Sequence, residues 1–408
     1  MTPAEELAAA VKRSDARQVA AILERHPALH ATLNDAMPGG QFGATPLIAA
    51  VQQRSVEMID VLLRAGADIN EKSHWWAGGF SVLDSAADKD DGLTELLIER
   101  GAVVNAHTAS RLGRLDRLAE LVAADPEAVH PRGGDGQTPL HVAPTVAIAR
   151  FLLDHGADID ARDVDHESTP AQYLIRDHQD VVCYLVTRGC RTDILMAAAL
   201  GDLALVRAHL DRDPASVRTT VSEQDFPKQH PHSGGTIYNW TLDRHSTAHL
   251  VARRFGHDEV FRLLMDRSPA ELQLAVACEL GDDTAVNALI ESRPNLAREL
   301  SDADRSRLAH AAQANNHDAV RLMLSAGWPV DARGQHGATA LHWAAFHGNV
   351  QMVREILRYG PPLEATDADY SGTPLGWAMH GSTGSWHFRT GDYPAVMDAL
   401  TQAGARPA

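Results

Sequence analysis

The sequence predicts an all-α fold, a solenoid of about twelve helix-turn-helix units with short β-hairpin fingers between them and one long insertion. Three observations predict it. The stretch Gly337 to Gly360, GATALHWAAFHGNVQMVREILRYG, reads as two short amphipathic helices. Leu341, Ala344 and Ala345 share a face of the first, Gly348-Asn349 breaks it, and Val353, Ile356 and Leu357 form the stripe of a second that stops at Gly360. A pair this small cannot offset the entropy of ordering itself, so it must stack on copies. The copies exist, because the 19 positions from Leu341 to Gly360 recur along the whole chain.

In order, residues 7–29 make an opening unit, and the spacing then fits Leu47 to Gly66, Ala106 to Asp125, Ile194 to Asp213, His249 to Ser268, Leu274 to Arg293 and Leu308 to Gly327. Shorter versions run from Leu83 to Gly101, Leu140 to Gly156 and Ala171 to Gly189. The last unit, Leu375 to Gly404, is longer because Gly381 to Asp392 is inserted between its helices, where Trp386 and Phe388 are expected to cap the end of the stack. The units at Ala106, Ile194 and Leu274 follow almost directly on their predecessors and leave little room for a finger. Residues 218–244 are the long insertion, expected to be ordered by Phe226, Tyr238 and Trp240 and to fold against the groove. The expected organisation is therefore 1–217 N-terminal repeats, 218–244 insertion and 245–408 C-terminal repeats in one continuous solenoid.

The segments ATPLIAA (44–50), QTPLHVA (137–143), ATALHWAA (338–345), GTPLGWA (372–378), RAGADIN (64–70) and DHGADID (154–160) carry a family resemblance. They resemble ankyrin repeats, and the resemblance covers nearly the whole chain. It implies that His141 and His342 hydrogen-bond the backbone of a neighbouring finger and that Asp158 to Glu167 is a finger, not a calcium loop. Pro46, Pro139, Pro170 and Pro374 sit where a fixed φ suits a first helical turn, each behind a capping threonine. For function it implies a binding surface without naming the partner.

Composition excludes more than it assigns. With 37 Lys+Arg against 54 Asp+Glu the net charge is −17, which argues against nucleic acid or an anionic membrane as partner. The three cysteines, Cys183, Cys190 and Cys278, lack metal-type spacing and read as reduced, buried structural thiols. The start, MTPAEELAAAVKRSD, has the pattern of neither a signal peptide nor a membrane anchor, so a cytoplasmic location is expected. Alanine and arginine usage points to a GC-rich, bacterial genome.

No nucleophile elbow, Walker loop, H-E-x-x-H or dinucleotide fingerprint is present, and no cofactor is expected. His230, His232 and His245, with His249, form an H-x-H plus H-x-x-x-H pattern that zinc would suit. No Cys, Asp or Glu supports it at the right spacing, so no metal is expected. The stronger signal is the helix position two after each unit's leucine, expected to face the concave groove: Ser85, Thr108, Val142, Tyr173, Met196, Val251, Val276, His310, Trp343 and Trp377. Aromatic residues are only 5% of the chain, so Trp at this position in two successive units points to contact with a partner, against packing under a finger. Phe346 lies one turn from Trp343, and Trp75-Trp76 is expected to project from a finger.

These readings predict a monomeric, non-enzymatic module that binds another protein or peptide, one with basic patches, in a groove lined by Tyr173, His310, Trp343 and Trp377 and overhung by Tyr238 and Trp240. The rival expectation is an enzyme or small-molecule binder whose insertion closes a pocket served by His230, His232, His245 and His310.

Overall fold

Most repeats begin where a threonine or aspartate stops the chain from being extended and turns it into a helix. In the computed structural model, which describes residues 2–86, 92–385 and 387–406, the Thr45 hydroxyl accepts from the Ile48 N–H at 3.3 Å and Pro46 fills the first helical position. In several pairs the second helix ends on a left-handed glycine. At Gly66, φ is +100° and the Ala67 N–H turns back to the Leu62 carbonyl at 3.0 Å, a closure that a side chain would strain.

Among the described residues this grammar gives twelve helix pairs, from Pro3–Lys12 with Ala16–Arg25 to Pro374–Gly384 with Tyr393–Gln402. The fifth pair opens on a single 3-10 turn, Pro139–Val142. No strand forms among the described residues. The fingers are turns, marked by one isolated bridge between Arg333 and Thr339, because each is too short for a ladder. No helix among them is long and apolar enough to cross a membrane.

The chain divides into two compact units, residues 1–205 with 219–246, and residues 206–218 with 247–408. In the first, a core runs from Leu7 to Ala102 through Val19, Ile48, Ile59 and Leu97. The insertion belongs to this unit. Its ends are tied by Val221 N–H to the Ser246 carbonyl and His245 N–H to the Val221 carbonyl, both 2.9 Å. In the second, the core runs from Leu274 to Ala405 and takes in Leu308, Met323, Leu341, Met352 and Ile356. That unit also buries an ion network, in which Arg307 donates to Glu279 at 2.9 Å and lies 3.5 Å from Asp304, itself paired with Arg218 at 3.0 Å.

Two histidines stitch finger to helix in the same way. His141 Nδ1 accepts from the Thr138 N–H at 3.0 Å while its Nε2–H donates to the Ser168 carbonyl at 3.0 Å. His342 repeats this with Thr339 at 3.1 Å and the Gly372 carbonyl at 3.1 Å. Both rings are buried and need the neutral form, since a second ring proton would face a donor.

Two sequence expectations are corrected. Cys183 is exposed, and only Cys190 and Cys278 are buried. Phe388 is exposed with Arg389 over its ring, so it caps nothing, and Trp386 lies outside the described residues. Tyr393 performs the closing instead, its hydroxyl donating to the Phe346 carbonyl at 3.0 Å.

Two outcomes follow from burial. Removing Arg307 strands the buried Glu279, so Arg307→Ala is expected to cost about 3–5 kcal/mol in a urea unfolding experiment. Burial pushes the His141 pKa down to about 3, whereas an unfolded imidazole titrates near 6.5. The folded state thus binds fewer protons, and its stability is complete above pH 6.5 and drains away as pH falls from there toward the folded value. Urea midpoints should fall between pH 7 and pH 4, less steeply in His141→Gln.

Candidate functional site

The aromatic residues two positions after each unit's leucine are set by the finger ten residues upstream. Asp163 accepts from the His166 and Ser168 N–H groups, both at 2.7 Å, and from the Tyr173 hydroxyl at 2.8 Å. Asp367 holds the next comparable finger through Tyr370 N–H at 2.6 Å and Gly372 N–H at 2.8 Å, and takes the Trp377 indole N–H at 2.9 Å. Burial opposes ionisation of Asp367, yet these donors hold its carboxyl below the usual range. Burial raises that of Asp163. Tyr173 and Trp377 are therefore props under their fingers first.

Trp343 is different. The residue ten positions before it is Arg333, whose guanidinium donates to the Gly337 carbonyl at 2.6 Å and the Thr366 carbonyl at 2.8 Å. It has no oxygen to offer an indole. Trp343 is 4% exposed, and its Nε1 is buried without a hydrogen-bond partner. Such a group costs roughly 1–3 kcal/mol relative to a paired one.

Around Trp343 the second unit forms a pocket of about 480 Å³ lined by His336, Trp343, Phe346, Tyr370, Gly372, Gly376, Trp377 and His380. Trp343 and Trp377 meet edge to face at 5.0 Å, and Phe346 closes against both at 6.0 and 5.8 Å. His336 pairs with Asp369 at 2.6 Å and lies 5.5 Å from the Tyr370 ring, which is 69% exposed. The pocket is apolar in its floor and carries two imidazoles, His336 paired with Asp369 and His380, at its rim, an arrangement suited to binding. Gly372 has to be glycine, because a Cβ there would sit 2.9 Å from the Trp377 ring.

The other sequence-derived residues are placed as follows. His310, half-buried, lies under Gly334, one repeat before the pocket. Tyr238 is 0% exposed and anchors the insertion, its hydroxyl donating to Asp193 at 2.9 Å, so it does not overhang a groove. Trp240, 48% exposed, packs on His166 at 4.6 Å. Trp75 donates to Asp135 at 3.0 Å, and Trp76 stacks on His230 at 4.8 Å with His232 beside it at 5.9 Å. That finger meets the insertion instead of projecting freely.

Beneath the insertion is a second pocket, of about 300 Å³, with Glu167, Asp193 and Phe226 in its wall. Glu167 already accepts from the Gln229 and His230 N–H groups, both at 2.7 Å. His230, His232 and His245 do not converge with one another as ligands among the described residues; the donor atoms close enough to share a cation there are those of Asp135, Asp165 and His166, within 4.8 Å. His166 Nδ1 is committed to the Gly235 carbonyl at 2.9 Å, leaving Nε2 toward Asp165 at 3.4 Å.

Sequence reasoning missed His336, Tyr370, Gly372, Gly376 and His380. The available signal was the pair of glycines that bracket the helix start in GTPLGW, where the related unit reads STPAQY.

Comparison with known proteins bears on the repeats that carry this pocket. Profiles described as ankyrin repeats, one of them for three copies, match residues 42–74, 106–196 and 272–369, together more than half of the chain. The chain belongs to the ankyrin repeat family. Similar curated proteins include the E3 ubiquitin-protein ligase XB3 of Oryza sativa subsp. japonica, 37% identical over 83 residues, which are 20% of this chain and 18% of that one. Palmitoyltransferase Hip14 of Drosophila melanogaster is 30% identical over 126 residues, 31% of this ankyrin chain and 18% of its own. The chain thus aligns with less than a fifth of either relative's length, and both come from eukaryotes. A solved human ASB11 ankyrin repeat domain is matched over 74% of this chain and 99% of its own at 19% identity, with a TM-score of 0.29.

Burial and exposure separate the pocket residues in a testable way. Trp343→Ala is expected to cost about 3–5 kcal/mol of stability, because it empties a packed position. Tyr370→Ala should stay within about 0.5 kcal/mol of the parent in the same denaturation assay.

Proposed function

We infer that this ankyrin chain is a non-enzymatic interaction module that binds a segment of another protein in the groove of its second unit. Trp343, Trp377 and Phe346 form the floor, with Tyr370, His336 and His380 as walls. The observation that carries the reading is the ring-lined pocket itself, since Phe, Trp and Tyr are 5% of the chain and make up four of the pocket's eight lining residues. Trp and Tyr, which supply three of these rings, are among the side chains most enriched at binding hot spots. Family membership supports the class of function, and the net charge of −17 favours partner segments flanked by basic residues over nucleic acid.

The test is a peptide-display selection on the full chain, with binding of the enriched peptides then measured to Tyr370→Ala and Phe346→Ala. Loss of at least about tenfold in affinity is expected for each variant, the effect of removing a hot-spot ring. Enriched peptides that bind both variants as tightly as the parent would remove the groove as the site.

A further inference from the structure

The chain contains its own example of how such a groove is filled. The fingers of residues 163–169 and 367–373 and the helix starts that follow share one register, with Asp163 matching Asp367, Thr169 matching Thr373 and Tyr173 matching Trp377, although the first helix ends at Leu174 and the second runs to Gly384. On the first of these, the insertion is seated. His166 bonds the Gly235 carbonyl at 2.9 Å and packs on the Trp240 ring. The Ser168 hydroxyl accepts from the Ile237 N–H at 3.0 Å, the Gln172 carbonyl takes the Thr241 hydroxyl at 3.4 Å, and Arg176 donates to the Trp240 carbonyl at 3.1 Å.

In the second unit the positions that do this holding are Tyr370 for His166, Gly372 for Ser168, Gly376 for Gln172 and His380 for Arg176. All four line the open pocket. Two side chains have become glycine, which deepens the ledge into a cavity, and Val142 of the preceding repeat is replaced by Trp343, which adds a ring to the floor. The ledge that the chain covers with its own segment in one unit is thus enlarged and uncovered in the other.

The geometry points to a partner segment that enters this pocket with an aromatic side chain, seated as Trp240 is on His166, and presents a carbonyl oxygen as hydrogen-bond acceptor. This rests on the groove reading above and adds the chemistry of its occupant. The acceptor is argued from the seated insertion, whose Gly235 and Trp240 carbonyls accept from His166 and Arg176, the positions that Tyr370 and His380 take in the open pocket. A ring-lined pocket could also attract a quaternary ammonium. A cation carries no acceptor, however, and His336 already pairs with Asp369, the carboxylate that would serve it.

The test uses the full chain, labelled with ¹⁵N at its seven tryptophans, and two synthetic peptides of residues 233–241, one native and one with Trp240→Ala. The Trp343 indole signal is assigned by its loss in Trp343→Phe, a variant that keeps a ring in the core. The native peptide is expected to move that signal, to bind at least tenfold more tightly than its alanine counterpart, and to lose this advantage on Tyr370→Ala protein. Equal binding of the two peptides, or no effect on the Trp343 signal at millimolar peptide, overturns the inference. So does tighter binding of tetramethylammonium or a trimethyllysine peptide. If display-selected peptides still depend on Tyr370 in those cases, the groove reading survives and only the occupant's chemistry falls; if they do not, both fall.

Discussion

Each repeat is too small to fold alone, so the structure depends on the hydrogen bonds that fasten a finger to the helix of the repeat before it. His141 and His342 show the fastening most plainly, each ring accepting from its own threonine N–H and donating to a carbonyl of the next finger. One neutral imidazole therefore fixes a helix start and the spacing of two repeats together. The same dependence makes the array sensitive to acid, because a charged ring cannot make both bonds.

Once the fingers are fixed, their composition decides what the groove offers. A finger built on Asp163 or Asp367 spends its carboxylate on backbone N–H groups and on the ring beneath, so Tyr173 and Trp377 are held. A finger built on Arg132 or Arg333 binds carbonyls instead, Arg132 donating to Arg162 O at 2.7 Å and Arg333 to Thr366 O at 2.8 Å. Under Arg132 lies Val142, which needs nothing. Under Arg333 lies Trp343, which does. The unmet donor at the pocket floor thus follows from which finger type precedes which side chain.

The repeat grammar was legible because it rests on local physics. Threonine and aspartate caps, the proline at the first helical position and the left-handed glycine at the exit act within a few residues, and the ruler from Leu341 to Gly360 found all twelve pairs for that reason. Trp343, Trp377 and Phe346 were also singled out by spacing, and they do come together. Tyr238 was misjudged because an apolar run in a loop gives no sign of whether it turns in or out; its burial depends on Asp193, 45 residues away. Trp75 looked exposed for the same reason, since Asp135 lies far along the chain, whereas Trp76 is exposed as expected while stacking on His230.

What the sequence by itself determined is the repeat: its helices, its caps, its period and the family they define. Only the tertiary structure decided which aromatic side chains are props, which are anchors and which line open space. The physical reason is range. A cap is satisfied by a neighbour three residues on, but the fate of a ring is set by which aspartate, arginine or glycine of another finger is stacked above it, and in the second unit that stacking leaves Trp343 with a cavity beside it and its N–H unpaired.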